Sequence, residues 1–166
     1  MASISKPVLM LLLIVTAAAA MGGAAAQGSQ ATCNGHKVTV QNLCGHDLKM
    51  DELTPVADSK VLFPAGWVLP NNQHAEFAVC AWTGRLRAPG AVEVDLHLGH
   101  EGGAYYSVST AQNGMPVRVS VTPHGSPLQG HCPTAGCNSG GHCFEYSVPG
   151  NKCSGVTEMK VVYYSP

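Results

Sequence analysis

The stretch His36-Lys37-Val38-Thr39-Val40-Gln41-Asn42-Leu43 decides the fold class. Its period-two alternation puts Val38 and Val40 on one face and Thr39 and Gln41 on the other, as in a strand with one side against a core. Cys44 and Gly45 end the run. Further short stretches rich in β-branched or aromatic residues follow at Lys60–Phe63, His74–Trp82, Ala91–Leu98, Tyr105–Thr110, Val117–Thr122, Phe144–Val148 and Glu158–Tyr164. Pro64-Ala65-Gly66, Pro70-Asn71-Asn72, Pro89-Gly90, Asn113-Gly114 and Pro149-Gly150-Asn151 lie between them and supply the fixed or positive φ that chain reversals need. No window sustains the three-to-four-residue apolar period of a helix. The pattern predicts an all-β domain, an antiparallel β-sandwich or flattened barrel, with Pro123–Gly141 as a loop stapled by cysteines.

Upstream of the first strand, Lys6 is the only charge before an apolar stretch from Pro7 through Met21, which decays into Gly22-Gly23-Ala24-Ala25-Ala26. Basic, apolar and small-residue segments in that order are the layout of a secretory signal peptide, expected here over residues 1–26. A transmembrane anchor needs roughly 20 strongly apolar residues, and this run ends in Ala and Gly instead. Residues 27–35 are small and polar and read as a flexible arm, and residues 36–166 as one domain. The chain carries a formal net charge of −1 without a basic cluster, so no nucleic-acid partner is expected. No membrane association is expected after signal cleavage.

All seven cysteines fall after the expected cleavage site. In a secreted chain they read as a disulfide framework of three bridges with one thiol over. The competing zinc reading is set aside because the CxxC spacing of structural zinc knuckles is missing. His97 and His100 form an HxxH pair, but no neighbouring carboxylate or thiol completes a metal shell, and neither a metal nor another cofactor is expected.

Between Ala104 and Cys137 the chain reads AYYSVSTAQNGMPVRVSVTPHGSPLQGHCPTAGC, and this stretch resembles the thaumatin-like proteins. The similarity extends to Val38–Cys44 at the front, to Cys143-Phe144-Glu145-Tyr146-Ser147, and to Lys152-Cys153 with the closing run Met159–Pro166. Five residues separate Cys137 from Cys143 where full-length members carry a long cysteine-rich second domain, so the chain looks like the family's small form. The resemblance implies Cys132 paired with Cys153 and Cys137 with Cys143. It also implies a departure, because the expected partner of Cys44 is replaced by Ser165. Cys33 and Cys44, at either end of an extended strand, are some tens of Å apart and cannot bridge. Cys80 is therefore the expected partner of Cys33 or of Cys44.

Many thaumatin-like proteins present an acidic cleft that binds or cleaves β-1,3-glucans, and glycoside hydrolysis requires two carboxylates. By resemblance Glu93 and Glu145 stand at two of the family's acid positions, while Ala104, Ser107 and Gln112 occupy three others. Asp95 alternates onto the same strand face as Glu93 and is a substitute partner. Tyr105 and Tyr106, adjacent and hence on opposite faces, are candidates for stacking on a sugar. G-x-S-x-G, P-loop and dinucleotide fingerprints are absent from the sequence.

The reading is a secreted, apoplastic, defence-related (antifungal or stress-response) protein that binds β-glucan, another cell-wall polysaccharide or a microbial surface component without catalysis, through Glu93, Tyr105, Tyr106 and Glu145. One alternative is a weak β-1,3-glucanase using Glu93 with Glu145 or Asp95. Another is a protease or amylase inhibitor presenting the loop from Cys132 to Cys143. A monomer is expected, with a disulfide-linked dimer through the odd thiol as the variant.

Overall fold

The computed structural model describes residues 35–53, 59–100 and 103–166. The expected signal segment, Cys33 and all of the expected arm except Gly35 lie outside the described residues. Among the described residues thirteen strands follow in chain order: β1 Lys37–Leu43, β2 Leu48–Leu53, β3 Trp67–Leu69, β4 His74–Ala78, β5 Trp82–Arg87, β6 Val94–His100, β7 Gly103–Val108, β8 Arg118–His124, β9 Gln129–Gly130, β10 Ala135–Gly136, β11 Ser147–Val148, β12 Cys153–Ser154 and β13 Glu158–Tyr164. No helix occurs among the described residues.

The strands form two sheets, one ordered β10-β8-β13-β1-β4 and the other β3-β2-β5-β6-β7-β12-β9, with β11 also on β7. Pairing is antiparallel except that β1 runs parallel to β13, from Lys37 opposite Glu158 to Leu43 opposite Tyr164. The chain between these two strands is nearly the whole domain, so no tight hairpin forces them to run in opposite directions.

Period two explains the layers. Val38, Val40, Val119, Val121, Met159, Val161 and Tyr163 from the first sheet, and Met50, Trp82, Leu86, Val94, Leu96, Leu98, Tyr106 and Val108 from the second, are buried in one core. Phe77 of β4 meets Phe63 and Trp67 with ring centroids 5.6 and 5.7 Å away, closing one end of the sandwich between the sheets.

Several expected elements differ from those observed, among them the loop Pro123–Gly141, which carries the end of β8 and the two-residue strands β9 and β10 because its backbone pairs with β12 and β8. Lys60–Phe63 is not a strand: Leu62 and Phe63 are both buried, which alternation on a one-sided strand forbids, and their N–H groups donate to Glu52 Oε2 at 2.7 and 3.4 Å. His74–Trp82 serves both sheets, because the chain leaves the first after Ala78 and enters the second at Trp82. Ala91–Leu98 starts at Val94, since Ala91 N–H closes a turn onto Ala88. Phe144–Val148 shrinks to Ser147–Val148, because the chain before it bonds to the stapled loop at Thr134 and Gly136 instead. β2 escapes the sequence pattern because Glu52 falls in step with Leu48 and Met50 on its inward side.

Cys132 is bonded to Cys153 with Cα atoms 4.9 Å apart, and Cys137 to Cys143 at 4.0 Å. Cys80 is disulfide-bonded and Cys44 is a buried free thiol, so Cys44 is not the partner of Cys80. The register gives the reason. Lys37 pairs with Ala78 and Val79 N–H bonds to His36, which puts Cys80 level with the start of β1. Cys44 lies past the other end of that strand, roughly 25 Å away at about 3.3 Å per residue, against the ~7 Å a disulfide spans.

Burial pushes the Cys44 thiol up to about 11. Thiolate is the reactive form, so at pH 8 the folded protein should resist thiol reagents, with one equivalent reacting after unfolding. Stoichiometric labelling without denaturant would contradict this, as would a dimer on a non-reducing gel that reduction resolves. The raised value also sets a sign. This group's contribution to stability is present below the unfolded value of 9.0 and is lost as pH rises through about 11.

Candidate functional site

Strands β5, β6 and β7 turn Trp82, Leu86, Leu96 and Tyr106 inward, so the alternate positions line an outer face. Across it, Arg85 pairs with Asp95, Asp95 with Ser107 and Ser107 with Ser147, while the next row is Thr83, His97 and Tyr105. Arg85 reaches Asp95 Oδ1 through Nε at 2.5 Å and Glu93 Oε2 through Nη1 at 3.3 Å. One guanidinium thus holds both carboxylates, at the surface where exchange with water is easy. The hydrogen bond that Arg85 donates to Asp95, and then the charge of Asp95, keep Arg85 more firmly protonated than usual, with Glu93 and Tyr105 adding smaller contributions. Tyr105 is 37% exposed at this face.

Tyr106 is not available to a ligand. It is fully buried on the opposite face from Tyr105, and its hydroxyl donates to the Pro133 carbonyl at 2.5 Å, anchoring the stapled loop on the core. Burial, and secondarily the charge of Glu145, raise its phenol. Glu145 itself is paired with that loop: it bridges Ala135, and its carboxylate lies 3.5 Å from His131 Nε2. The described residues therefore group Glu93 with Asp95 and place Glu145 in a separate contact.

The three positions without an acid have distinct surroundings. Ala104 is fully buried in the core, and Ser107 is 8% exposed on the β5-β6-β7 face. Gln112 is a buried carboxamide bonded to Ser109 and to both backbone groups of Val119. Arg85, the centre of the cluster, was not singled out from sequence. The available signal was alternation in Trp82-Thr83-Gly84-Arg85-Leu86-Arg87, which sets Thr83, Arg85 and Arg87 opposite Trp82 and Leu86.

A second polar site lies on the outward side of the other sheet, where a groove of about 280 Å³ crosses β4, β1, β13 and β8. Lys37 of β1 stands between Glu76 of β4, at 2.7 Å, and Glu158 of β13, at 3.7 Å. Thr39 donates to Glu158 at 2.6 Å. These side chains share a face because Lys37 pairs with Glu158 and Thr39 with both Glu76 and Lys160. The alternation Lys37, Thr39, Gln41 could have signalled the groove. Its four-strand assembly could not be read from sequence, because β1 and β13 are distant in the chain. Among the described residues no group of three or more metal-ligating side chains gathers.

No family model matches the chain, and no curated protein matches it. Among solved structures it is similar to the protein elicitor MoHrip2 from Magnaporthe oryzae, at 13% identity over 78% of this chain and 98% of that one, with a TM-score of 0.44.

Proposed function

We propose that this chain is a secreted thaumatin-like protein of the small form, defence-related, that binds a glycan through the outer face of β5, β6 and β7 without cleaving it. The observation that carries the non-catalytic reading is the shared engagement of Glu93 and Asp95 by Arg85. Glycoside hydrolysis needs one carboxyl to deliver a proton and a second to act as base or nucleophile, about 5 to 10 Å apart across the scissile bond. Here one guanidinium is ion-paired with both carboxylates. The same cluster suits recognition: ion-paired groups present fixed donors and acceptors to sugar hydroxyls, and the half-exposed Tyr105 ring beside them offers a stacking surface. The disulfide framework supports an oxidising, extracellular setting.

The test is retention of the mature, oxidised protein on insoluble polysaccharides, β-1,3-glucan among them, with reducing sugar assayed in the same tubes. The expected result is retention without sugar release, weakened about ten-fold by Tyr105→Ala. Sugar release by the wild type that Glu93→Gln abolishes would replace this reading with a hydrolase.

A further inference from the structure

Deamidation of an asparagine begins when the backbone nitrogen of the next residue attacks the side-chain carbonyl carbon. It therefore requires an accessible carboxamide and a following N–H that is neither hydrogen-bonded nor shielded by a side chain. The fold denies these conditions to most asparagines among the described residues. Asn42 is fully buried, its carboxamide bonded to the Cys44 N–H and to the His46 and Leu69 carbonyls. Asn71 Oδ1 is buried. The N–H groups after Asn72 and Asn151 are engaged, Gln73 on Pro70 O at 3.2 Å and Lys152 on Pro149 O at 3.0 Å. Asn138 Oδ1 accepts the His142 N–H at 3.0 Å, which holds that carboxamide in the stapled loop. Asn113 meets both conditions. With Gly114 it is exposed at the apex of a turn closed by the Met115 N–H on Gln112 O at 3.1 Å. Neither the Asn113 carboxamide nor the Gly114 N–H has a hydrogen-bond partner among the described residues. The turn needs glycine at 114 because φ there is +77°, and a Cβ at that position would meet nothing within 4 Å. The residue that makes the turn thus leaves its own nitrogen open.

We propose that Asn113 is a site of spontaneous deamidation and that its isoaspartyl product loosens the start of β8. The Gly114 nitrogen gives up its proton to solvent base and bonds to Asn113 Cγ; the Cγ–Nδ2 bond breaks and ammonia leaves with a proton, closing a succinimide ring. Water then opens the ring. Cleavage between Cγ and the ring nitrogen gives aspartate. Cleavage between the main-chain carbonyl carbon and that nitrogen gives isoaspartate, whose backbone runs through the former side chain and is one methylene longer. In sum one water is consumed and one ammonia released. The turn has no slack for the added methylene, because it is fixed on both sides. Before it, buried Gln112 is bonded to Ser109 and Val119. After it, Pro116 packs against Gly90 and the Val117 N–H donates to Gly90 O at 3.3 Å. Lengthening the apex displaces one of these anchors, and both lead directly into β8.

The test incubates the mature, oxidised protein at pH 6 and pH 8, folded and in urea, and locates the products by peptide mapping with mass spectrometry. Methyl transfer by an isoaspartyl methyltransferase counts the isoaspartate. An Asn34→Gln background is used throughout, because Asn34 also precedes a glycine and lies outside the described residues. The expected result is that Asn113 reacts in the folded protein within about three-fold of its rate in urea, since no opening of the fold is needed first. The rate should rise from pH 6 to pH 8, because the attacking nitrogen must lose its proton. Asn138, before the small Ser139, should react in urea and stay intact in the folded protein. Aged protein, purified by its extra negative charge, should melt below Asn113→Asp, which carries the same charge on a backbone of ordinary length. Persistence of Asn113 in the folded protein while it reacts in urea would overturn the assignment. Aged protein that contains isoaspartate at 113 yet melts with Asn113→Asp would overturn the effect on β8.

Discussion

Replacing Gln112 by Glu is expected to destabilise the protein by about 3 kcal/mol or more at pH 7, although the two side chains have nearly the same shape. Gln112 is 1% exposed, and its Nε2 donates to Ser109 O at 2.7 Å and Val119 O at 2.9 Å, while Oε1 accepts from Val119 N–H at 2.7 Å. The carboxamide thereby occupies the place of one residue of a neighbouring strand at the start of β8. A carboxylate retains the acceptor but turns an oxygen toward two carbonyls, removing this donor from Ser109 O, leaving Val119 O with the Cys137 N–H, and burying a charge without a counterion. A domain of this size is typically stable by about 5 to 15 kcal/mol, so the loss is a large share of the total. The introduced carboxyl would have its folded-state value raised by burial, so the deficit should shrink as pH falls from 7 toward 4. Denaturant unfolding at the two pH values reads both effects. A midpoint at pH 7 within experimental error of the wild type would show that the buried carboxamide is not a structural group.

Removing the Cys132–Cys153 bridge by paired Ser substitutions should cost about 3 kcal/mol, and removing Cys137–Cys143 about 2 kcal/mol. The order follows from chain entropy: the first bridge spans a sequence separation of 21 and the second one of 6, so the first restricts more of the unfolded chain. The first also joins buried Cys153 of β12 to the loop beside β9, where Gly130 is opposite Cys153, and that short ladder has few other ties. Calorimetric melting of the two double variants decides the point. The reverse order would mean that native contacts around Cys137, rather than unfolded-state entropy, dominate.

Much of the fold was legible because a strand needs only local information. Val38, Val40, Met159 and Val161 announce their inward faces by alternation, and Glu158–Tyr164 has the bounds expected of it. Reading stopped where a residue violates the pattern for a tertiary reason. Glu52 takes an inward place on β2 because two loop N–H groups meet it there, and Leu62 with Phe63 packs as a buried coil rather than a strand. Tyr105 and Tyr106 were expected on opposite faces, and only burial of the Tyr106 side shows which of them a ligand can reach. Glu93 and Asp95 were legible as acids, whereas Arg85, which changes what they can do, enters from a different strand.

By itself the sequence determined the all-β class, the turns, and which residues of most strands face inward, because these depend on period-two alternation and on the local φ demands of Gly, Pro and Asn. Only the tertiary structure decided the parallel contact of β1 with β13, the isolation of Cys44 from Cys80, and the partners of each surface carboxylate. These depend on which strands become neighbours and in what register, a choice made by the packing of the whole core rather than by any one segment.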